Sequence, residues 1–530
     1  MSNKENRAFV KGALILMIAN IAVKIIGALF KIPLNYLIGD DGMGYFGSAY
    51  TVYNWLFIVA TAGFPVAISK MVSESRAKGN YKEAQNIFSV SFKLLLFIGI
   101  MGCALLYFGA EKCAGIMAND GAALGIKALA PAILFVSVMS VYRGYFQGRQ
   151  NMLPTAVSEV CEALGKLIVG YIGASVLLKY GLEYASAGAV AGVSAGGFFA
   201  MAALVFIYAK SKKHKDKVLS DGVCRSNGRL LKDLIKIAVP ITIGASVFSL
   251  TTLIDAAMIM RRLQESAGFS YRQANALWGA YTGKSITMFN LVPTLITAVS
   301  ISIVPTVSAA FAKNNKEQTQ SATLESLKIT VLLTAPCAVG MSILAGPILT
   351  LIFHSSSAQS TLMYLAYAII FVSLVTVTNA ILQATGNAGI PVIHMAVGGA
   401  VKVAVNYILV GMPSINIVGA PIGTNCCYIV ILILNLISIK RIMGIKLSAP
   451  QLIFKPLVSV AAMAAAVLAV SAQAQALGNT LNVLVSIITG AAVYAVVLLA
   501  VGGINEQDIL MLPKSDKILS KLKKLKIIKQ

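Results

Sequence analysis

Apolar segments of bilayer length follow one another from about residue 10 to residue 502. A bilayer core of about 30 Å takes about 20 apolar residues per helical crossing, and by that ruler fourteen segments qualify. They cover 10–38, 44–70, 86–108, 122–146, 154–178, 184–209, 234–260, 280–311, 324–350, 358–384, 391–411, 415–439, 456–475 and 480–502. The first is too long for the apolar region of a signal peptide and lacks a small-residue cleavage site, so it reads as a membrane helix. Hydrophobic residues make up 57% of the chain and charged residues 12%, about half the charged fraction that covers a soluble fold. Soluble, collagen-like, coiled-coil, disulfide-rich and disordered classes are excluded. The expected fold is an all-α integral membrane protein with fourteen transmembrane helices.

The basic residues test that count. With the N-terminus in the cytoplasm, 31 of the 44 Lys and Arg fall in inner loops and tails, Arg143 and Arg149 among them, and 7 in outer loops. The other 6 lie inside helices. This is the positive-inside asymmetry, and an odd helix count would scramble it. The net charge of +24 therefore reads as topology and attraction to anionic inner-leaflet lipid, not as a nucleic-acid signal. The tail Lys514–Lys529 has Ile518, Leu519, Leu522 and Leu525 at helical spacing and is expected to lie on that surface.

Seven scattered cysteines without a CxxC pair argue against a disulfide framework or zinc site. His214, His354 and His394 are too few and too far apart to form a metal centre, so neither a metal nor a catalytic group is expected.

The sequence contains itself twice. Ala77-Lys78-x-Asn80, Gln85 and Ser91-x-Lys93 recur 235 residues later as Ala312-Lys313-x-Asn315, Gln320 and Ser326-x-Lys328. Gln147, Asn151, Pro154 and Lys166 then meet Gln383, Asn387, Pro391 and Lys402 at displacements of 236 or 237. Each half holds six helices, an even number, so both enter the membrane in one orientation and form a parallel repeat with a pseudo-two-fold along the membrane normal. The expected domains are a lobe at 1–209, a basic linker at 210–233, a second lobe at 234–445, two further helices within 446–505, and a basic cytoplasmic tail at 506–530. Gly63 and Pro65 interrupt the second helix, and Pro293 and Pro305 its counterpart, the eighth. Such prolines are often tolerated kinks, but their presence in both halves favours gating.

An ionisable side chain at bilayer depth costs about 2.5–3.5 kcal/mol on insertion scales. Lys24 lies about 20 Å beyond the cytoplasmic start of the first helix, and Lys31 follows seven residues later on the same face. Lys166 and Lys402 sit near the midplane, one per lobe, and Lys284 opens the eighth helix. Against these stand Glu159, Glu162 and Asp255, of which Glu162 is spaced i,i+4 from Lys166 and can pair with it. Lys93 and Lys328 read as snorkelling to the interface. For the deeper lysines a buried ion pair is the alternative, but five cations exceed three carboxylates, and the surplus suits a cavity for an anionic solute or headgroup. From Pro456 to Ile504 no residue is charged, so the last two helices are either plain anchors or a wall for a lipid tail.

Three features carry a resemblance: Arg143-Gly-Tyr-Phe-Gln-Gly-Arg-Gln-Asn-x-x-Pro154, Thr61-Ala-Gly-Phe-Pro-Val-Ala-Ile-Ser-Lys70, and the repeat itself. On these the chain resembles the MurJ/SpoVB-type members of the MOP (multidrug/oligosaccharidyl-lipid/polysaccharide) exporter superfamily over essentially its full length. The resemblance implies two six-helix lobes forming a V-shaped cationic cavity, plus a two-helix lipid groove. It also implies export of an undecaprenyl-diphosphate-linked cell-wall precursor, lipid II, from the inner to the outer leaflet. Lys24 and Lys284 fall where the MurJ branch places arginines, and Lys31 lies one residue from another. The acidic residue of that branch early in helix 2 aligns with Gly44, a departure.

The expected function is alternating access, with the headgroup drawn to Lys24, Lys31, Lys166, Lys284 and Lys402 and sugars among Asn54, Gln147 and Gln383. Asp255, Glu159 and Glu162 are candidates for ion pairing or for Na+ or H+ coupling; the membrane potential is an alternative drive. The expected setting is the bacterial plasma membrane, as a monomer with both termini cytoplasmic, in vegetative growth or sporulation. Alternatives are another polyprenyl-linked polysaccharide, a cation or drug antiporter of the same superfamily, and a membrane enzyme acting on polyprenyl lipids.

Overall fold

The computed structural model describes residues 3–213, 224–313, 315–444 and 449–502. Among them there is no strand. The expected tail at 506–530 and the middle of the expected linker lie outside the described residues. By internal contacts the chain divides into two units, Met1–Gly283 with Asn406–Ile417, and Lys284–Val405 with Val418–Gln530.

The first unit contains α1 (Asn3–Thr61), α2 (Phe64–Ala77), α3 (Tyr81–Phe108), α4 (Ala110–Ile116), α5 (Ala123–Gly148), α6 (Leu153–Leu177), α7 (Leu182–Lys213), α8 (Asn227–Glu265) and α9 (Tyr271–Ala280). The helix α1 is a hairpin. It turns at Gly39, whose φ of 63° and ψ of −171° leave the helical region and suit a residue without Cβ. The rings of Phe30 and Phe46 consequently lie 6.0 Å apart, where sixteen residues of straight helix would separate them by about 24 Å.

The second unit contains α10 (Ile286–Phe289), α11 (Leu291–Ala312), α12 (Lys316–Ile343), α13 (Ala345–Phe353), α14 (Gln359–Ala384), most of α15 (Gly389–Leu409), α16 (Gly419–Met443), α17 (Ala449–Gln473) and α18 (Asn479–Ala500). Val460, Met463 and Val467 of α17 pack with Ala335 and Leu344, and Tyr494 of α18 donates to the Leu332 carbonyl at 2.9 Å.

Twelve helices among the described residues are long and apolar enough to cross a bilayer. They differ from the expected fourteen in two places. Ile18–Ala77 is one continuous apolar span that holds the expected segment 44–70 and the expected segment 10–38 from residue 18 on, folded back at Gly39. The expected segment 280–311 is divided among a π turn at Tyr281–Ser285, α10 and α11. Large apolar side chains face outward, and some hydroxyls lie inside. Phe108, Phe206 and Ile488 are exposed, whereas Ser137, Thr330 and Thr334 are fully buried. Their hydroxyls donate to carbonyls four residues back at 2.7–2.8 Å, which satisfies them inside the helix.

The repeat reappears in local geometry. Asn80 caps α3 by accepting from the Glu83 amide at 3.0 Å, and Asn315 caps α12 through Gln318 at the same distance. The helices α5 and α14 end alike. Asn151 N–H donates to the Phe146 carbonyl and Asn387 N–H to that of Leu382, each at 3.0 Å. Left-handed Gln150 and Gly386 precede them, completing a Schellman motif in each half. Pro154 and Pro391 then fall in the first turn of α6 and α15, where no intrahelical amide bond is lost.

Arg225 ties the start of α8 to the N-terminus of α3. Its guanidinium donates to Glu83 Oε1 at 2.9 Å and to Asp233 Oδ2 at 2.8 Å, and its backbone amide donates to Glu83 Oε2 at 3.0 Å. The bonds to Glu83 push the Arg225 pKa above its usual range. Glu83 is buried and also accepts from Ser75 at 2.8 Å. Glu83→Gln is expected to cost about 2 kcal/mol, because it leaves a half-buried guanidinium short of a charged partner. Thermal unfolding of the purified protein measures it.

Candidate functional site

The first unit gathers three of the expected lysines. Lys31 lies on the first arm of α1, half-buried, and its Nζ donates to the Thr282 carbonyl at 3.5 Å. That carbonyl belongs to the π turn, whose i to i+5 pattern loosens the normal helical pairing. Lys166 Nζ sits 4.4 Å from the Tyr50 ring centroid and 5.3 Å from that of Phe30. The two rings come from opposite arms of the hairpin, so the turn at Gly39 builds this seat. Aromatic faces hold a cation without neutralising it. Lys24 is exposed on the same face of α1, and both Lys24 and Lys166 lie within electrostatic reach of Lys31. Among the described residues no carboxylate lies within 4.0 Å of any of the three. Asn35, one turn beyond Lys31, is 4% exposed and its Nδ2 has no hydrogen-bond partner. Asn54 lies one turn beyond Tyr50, half-buried.

Glycines hold α6 in place. Gly188, Gly192 and Gly196 of α7 face Gly173, Gly170 and Gly165 of α6 so closely that a Cβ at Gly165 would come 2.7 Å from the Gly196 Cα. This small-residue stripe lets two backbones touch and fixes the rotation of α6 about its axis.

The acidic residues of α6 do not pair with Lys166. Arg143 lies inside α5, its side chain 11% exposed, and donates to Glu162 Oε2 at 2.9 Å and Ser158 Oγ at 3.0 Å. This corrects two expectations. Arg143 is not a loop residue, because α5 continues to Gly148. The i,i+4 pairing of Glu162 with Lys166 gives way to an interhelical bond with a better donor fork. Glu159 is half-buried, and its Oε2 has no hydrogen-bond partner. Asp255 on α8 is buried and hydrogen-bonded to Asn406 Nδ2.

In the second unit, Lys284 of the π turn is 2% exposed and donates to Ser355 Oγ at 3.0 Å and Ser357 Oγ at 2.8 Å. Lys402 is half-buried on α15. Among the expected breakpoints, the chain leaves α1 at Thr61 and re-enters helix at Phe64. A Cβ at Gly63 between them would strike the Ala238 carbonyl and Thr242 of α8. Pro65 follows in the first turn of α2. Pro293 does not interrupt a helix; it lies in the first turn of α11, and the break precedes it. Pro305 lies in α11 at a position whose side chain is outside the described residues. Arg143, Asn35, Tyr50 and the π turn were invisible to spacing. The one available signal was the two carboxylates on α6, which require a buried donor.

Solved structures with this fold include a lipid II flippase MurJ in an inward closed conformation, TM-score 0.68 at 14% identity over 91% of this chain and 98% of that one. An inward-facing multidrug resistance MATE family transporter gives a TM-score of 0.66 at 15% identity, over 81% of this chain and all of that one. The chain shares the fold of these two proteins. A family model described as polysaccharide biosynthesis protein matches residues 9–311, and a second, MatE, matches residues 269–408. The chain belongs to the polysaccharide biosynthesis protein family. Curated relatives from Bacillus subtilis (strain 168) include stage V sporulation protein B, 25% identical over 450 residues, with 84% of this chain and 86% of the relative covered. Another is the lipid II flippase MurJ, 28% identical over 464 residues, 82% and 83% covered.

Proposed function

We propose that the protein is a flippase that carries an undecaprenyl-diphosphate-linked cell-wall precursor, of the lipid II kind, from the inner to the outer leaflet of the bacterial plasma membrane by alternating access. The observation that carries this is the set Lys24, Lys31 and Lys166, clustered on membrane helices with, among the described residues, no carboxylate within 4.0 Å of any of them. Cations at bilayer depth call for an anion, and a diphosphate supplies it. The unpartnered amide of Asn35 offers a further donor, and the second unit has lysines of its own on membrane helices, Lys284 and Lys402. The prenyl tail would stay in lipid along α17 and α18. An inside-negative potential favours outward movement of an anion by about 2.3 kcal/mol per charge per 100 mV, with Asp255, Glu159 and Glu162 as candidate coupling groups.

The MatE match supports a second reading, export of cationic drugs. It fits the charge less well, because residues 326–505 include no Asp or Glu and a cation site wants spare carboxylates. Reconstitution into liposomes with fluorescently labelled lipid II tests the two. The expected result is lipid II reaching the far leaflet faster than in protein-free vesicles, with no uptake of ethidium. Ethidium transport without lipid II movement would overturn the proposal.

A further inference from the structure

Lys166 has two potential partners on its own helix. Glu162 is one turn away and Glu159 two turns away, and an i,i+4 glutamate N-terminal to a lysine is the favoured order for pairing on a helix. In a membrane interior that pairing is strengthened, because neither charge has water to fall back on. Yet Lys166 Nζ rests on Tyr50 and Phe30, and Glu162 turns to the neighbouring helix, where Arg143 holds it at 2.9 Å. The guanidinium is fixed in turn by its second bond, to Ser158 Oγ, and Ser158 donates onward to the Thr155 carbonyl at 2.7 Å. Glu159 lies within electrostatic reach of the same guanidinium.

We propose that Arg143 is a positioning residue for anion binding: by occupying Glu162 it keeps Lys166 uncompensated and available to a diphosphate. This rests on the reading of Lys166 as part of the anion site. Arg143 touches no ligand in this account. It acts through Glu162, and the effect is one of charge balance. With Arg143 present, Glu162 is matched by the guanidinium and does not offset Lys166, and Glu159 lies two turns from the lysine. Without it, Glu162 is released one helical turn from Lys166 and can offset its charge. Loss of an arginine that never meets the lipid therefore mimics loss of the lysine.

The test is the affinity of the full-length purified protein for undecaprenyl diphosphate, titrated by native mass spectrometry with neutral undecaprenol as control. Lys166→Gln and Arg143→Gln are each expected to weaken diphosphate binding about 30-fold while leaving undecaprenol unchanged. The double variant Arg143→Gln with Glu162→Gln is expected to recover to within about twofold of the parent, because the competing carboxylate is gone. Loss of a purely structural arginine would weaken binding of undecaprenol as well as of the diphosphate, since a disturbed fold does not tell the two apart, and the stranded Glu162 carboxylate would lower the unfolding temperature. If the double variant binds as weakly as Arg143→Gln, or Arg143→Gln binds as well as the parent, the positioning role is wrong and the anion site stands. If Lys166→Gln binds normally, the anion site falls and the positioning role with it. Should Arg143→Gln fail to fold, Arg143→Lys keeps the charge but not the paired hydrogen bonds. Its expected affinity is intermediate and restored by Glu162→Gln; an Arg143→Lys variant that binds like the parent, or is not restored, overturns the proposal.

Discussion

Lys166→Gln is expected to lower lipid II translocation in liposomes by about 30-fold or more, and Lys31→Gln by a similar factor. The size follows from where the charges sit. Removing one partner of a desolvated charge contact costs about 2–5 kcal/mol, and 1.4 kcal/mol is a factor of ten. An exposed lysine would give far less, so Lys24→Gln is expected to be the mildest of the three. Stability should move the other way or not at all. Lys166 has no carboxylate partner to leave stranded, and an uncompensated cation at bilayer depth is itself costly. Loss of transport with an unchanged or raised unfolding temperature separates a binding role from a packing role. Near-parental translocation in both Lys166→Gln and Lys31→Gln would remove the cationic site from the account.

The second large effect is steric. Gly44→Asp is expected to destabilise the protein by about 3 kcal/mol, at the upper end for overpacking in a filled interior, as read by thermal unfolding. A Cβ at Gly44 would lie 2.6 Å from Asn275 Cγ and closer still to the Asn275 carbonyl oxygen. The surroundings cannot yield easily. Asn275 Nδ2 donates to the Asp41 carbonyl at 2.7 Å, and its Oδ1 accepts from Asn119 at 3.0 Å. Asn119 in turn reaches Ser48 Oγ at 2.8 Å and accepts from the Tyr271 hydroxyl at 2.8 Å. Both asparagines are fully buried. The absence of an acidic residue at position 44 thus has a physical reason: α9 comes too close to the second arm of α1 for any side chain there. Parental stability in Gly44→Asp would show that this contact is looser than it looks.

These two cases mark what the sequence made legible. The turn after the first helix was readable because glycine and aspartate interrupt an apolar run at Gly39–Gly42, and Gly39 does turn there. The repeat was readable because the Asn80 and Asn315 caps and the Asn151 and Asn387 helix ends use side chains and backbone positions set locally. Partners across helices were not readable. Arg143 with Glu162, and Asp255 with Asn406, depend on which faces of separate helices meet, and no spacing along one chain encodes that. Spacing even misled at Glu162, since it offered Lys166 and packing offered an arginine with a better fork. The lysines were singled out as residue types at depth; the contacts of Lys166 with Tyr50 and Phe30, and of Lys31 with the Thr282 carbonyl, came from tertiary structure alone.

The glycine stripe between α6 and α7 has a mechanical consequence. Helices in backbone contact cannot creep past one another by small amounts, because every intermediate position drives a Cα into a carbonyl; close-packed interfaces switch between discrete states instead. Gly188, Gly192 and Gly196 repeat every four residues, so a glycine of α7 reaches its neighbour's place only after a shift of about 6 Å. The two helices therefore behave as one stiff beam, and Lys166 and Glu162 travel as fixed points on it. Any motion of α6 must carry α7 along, which makes α7 as sensitive to substitution along its glycine face as α6 itself.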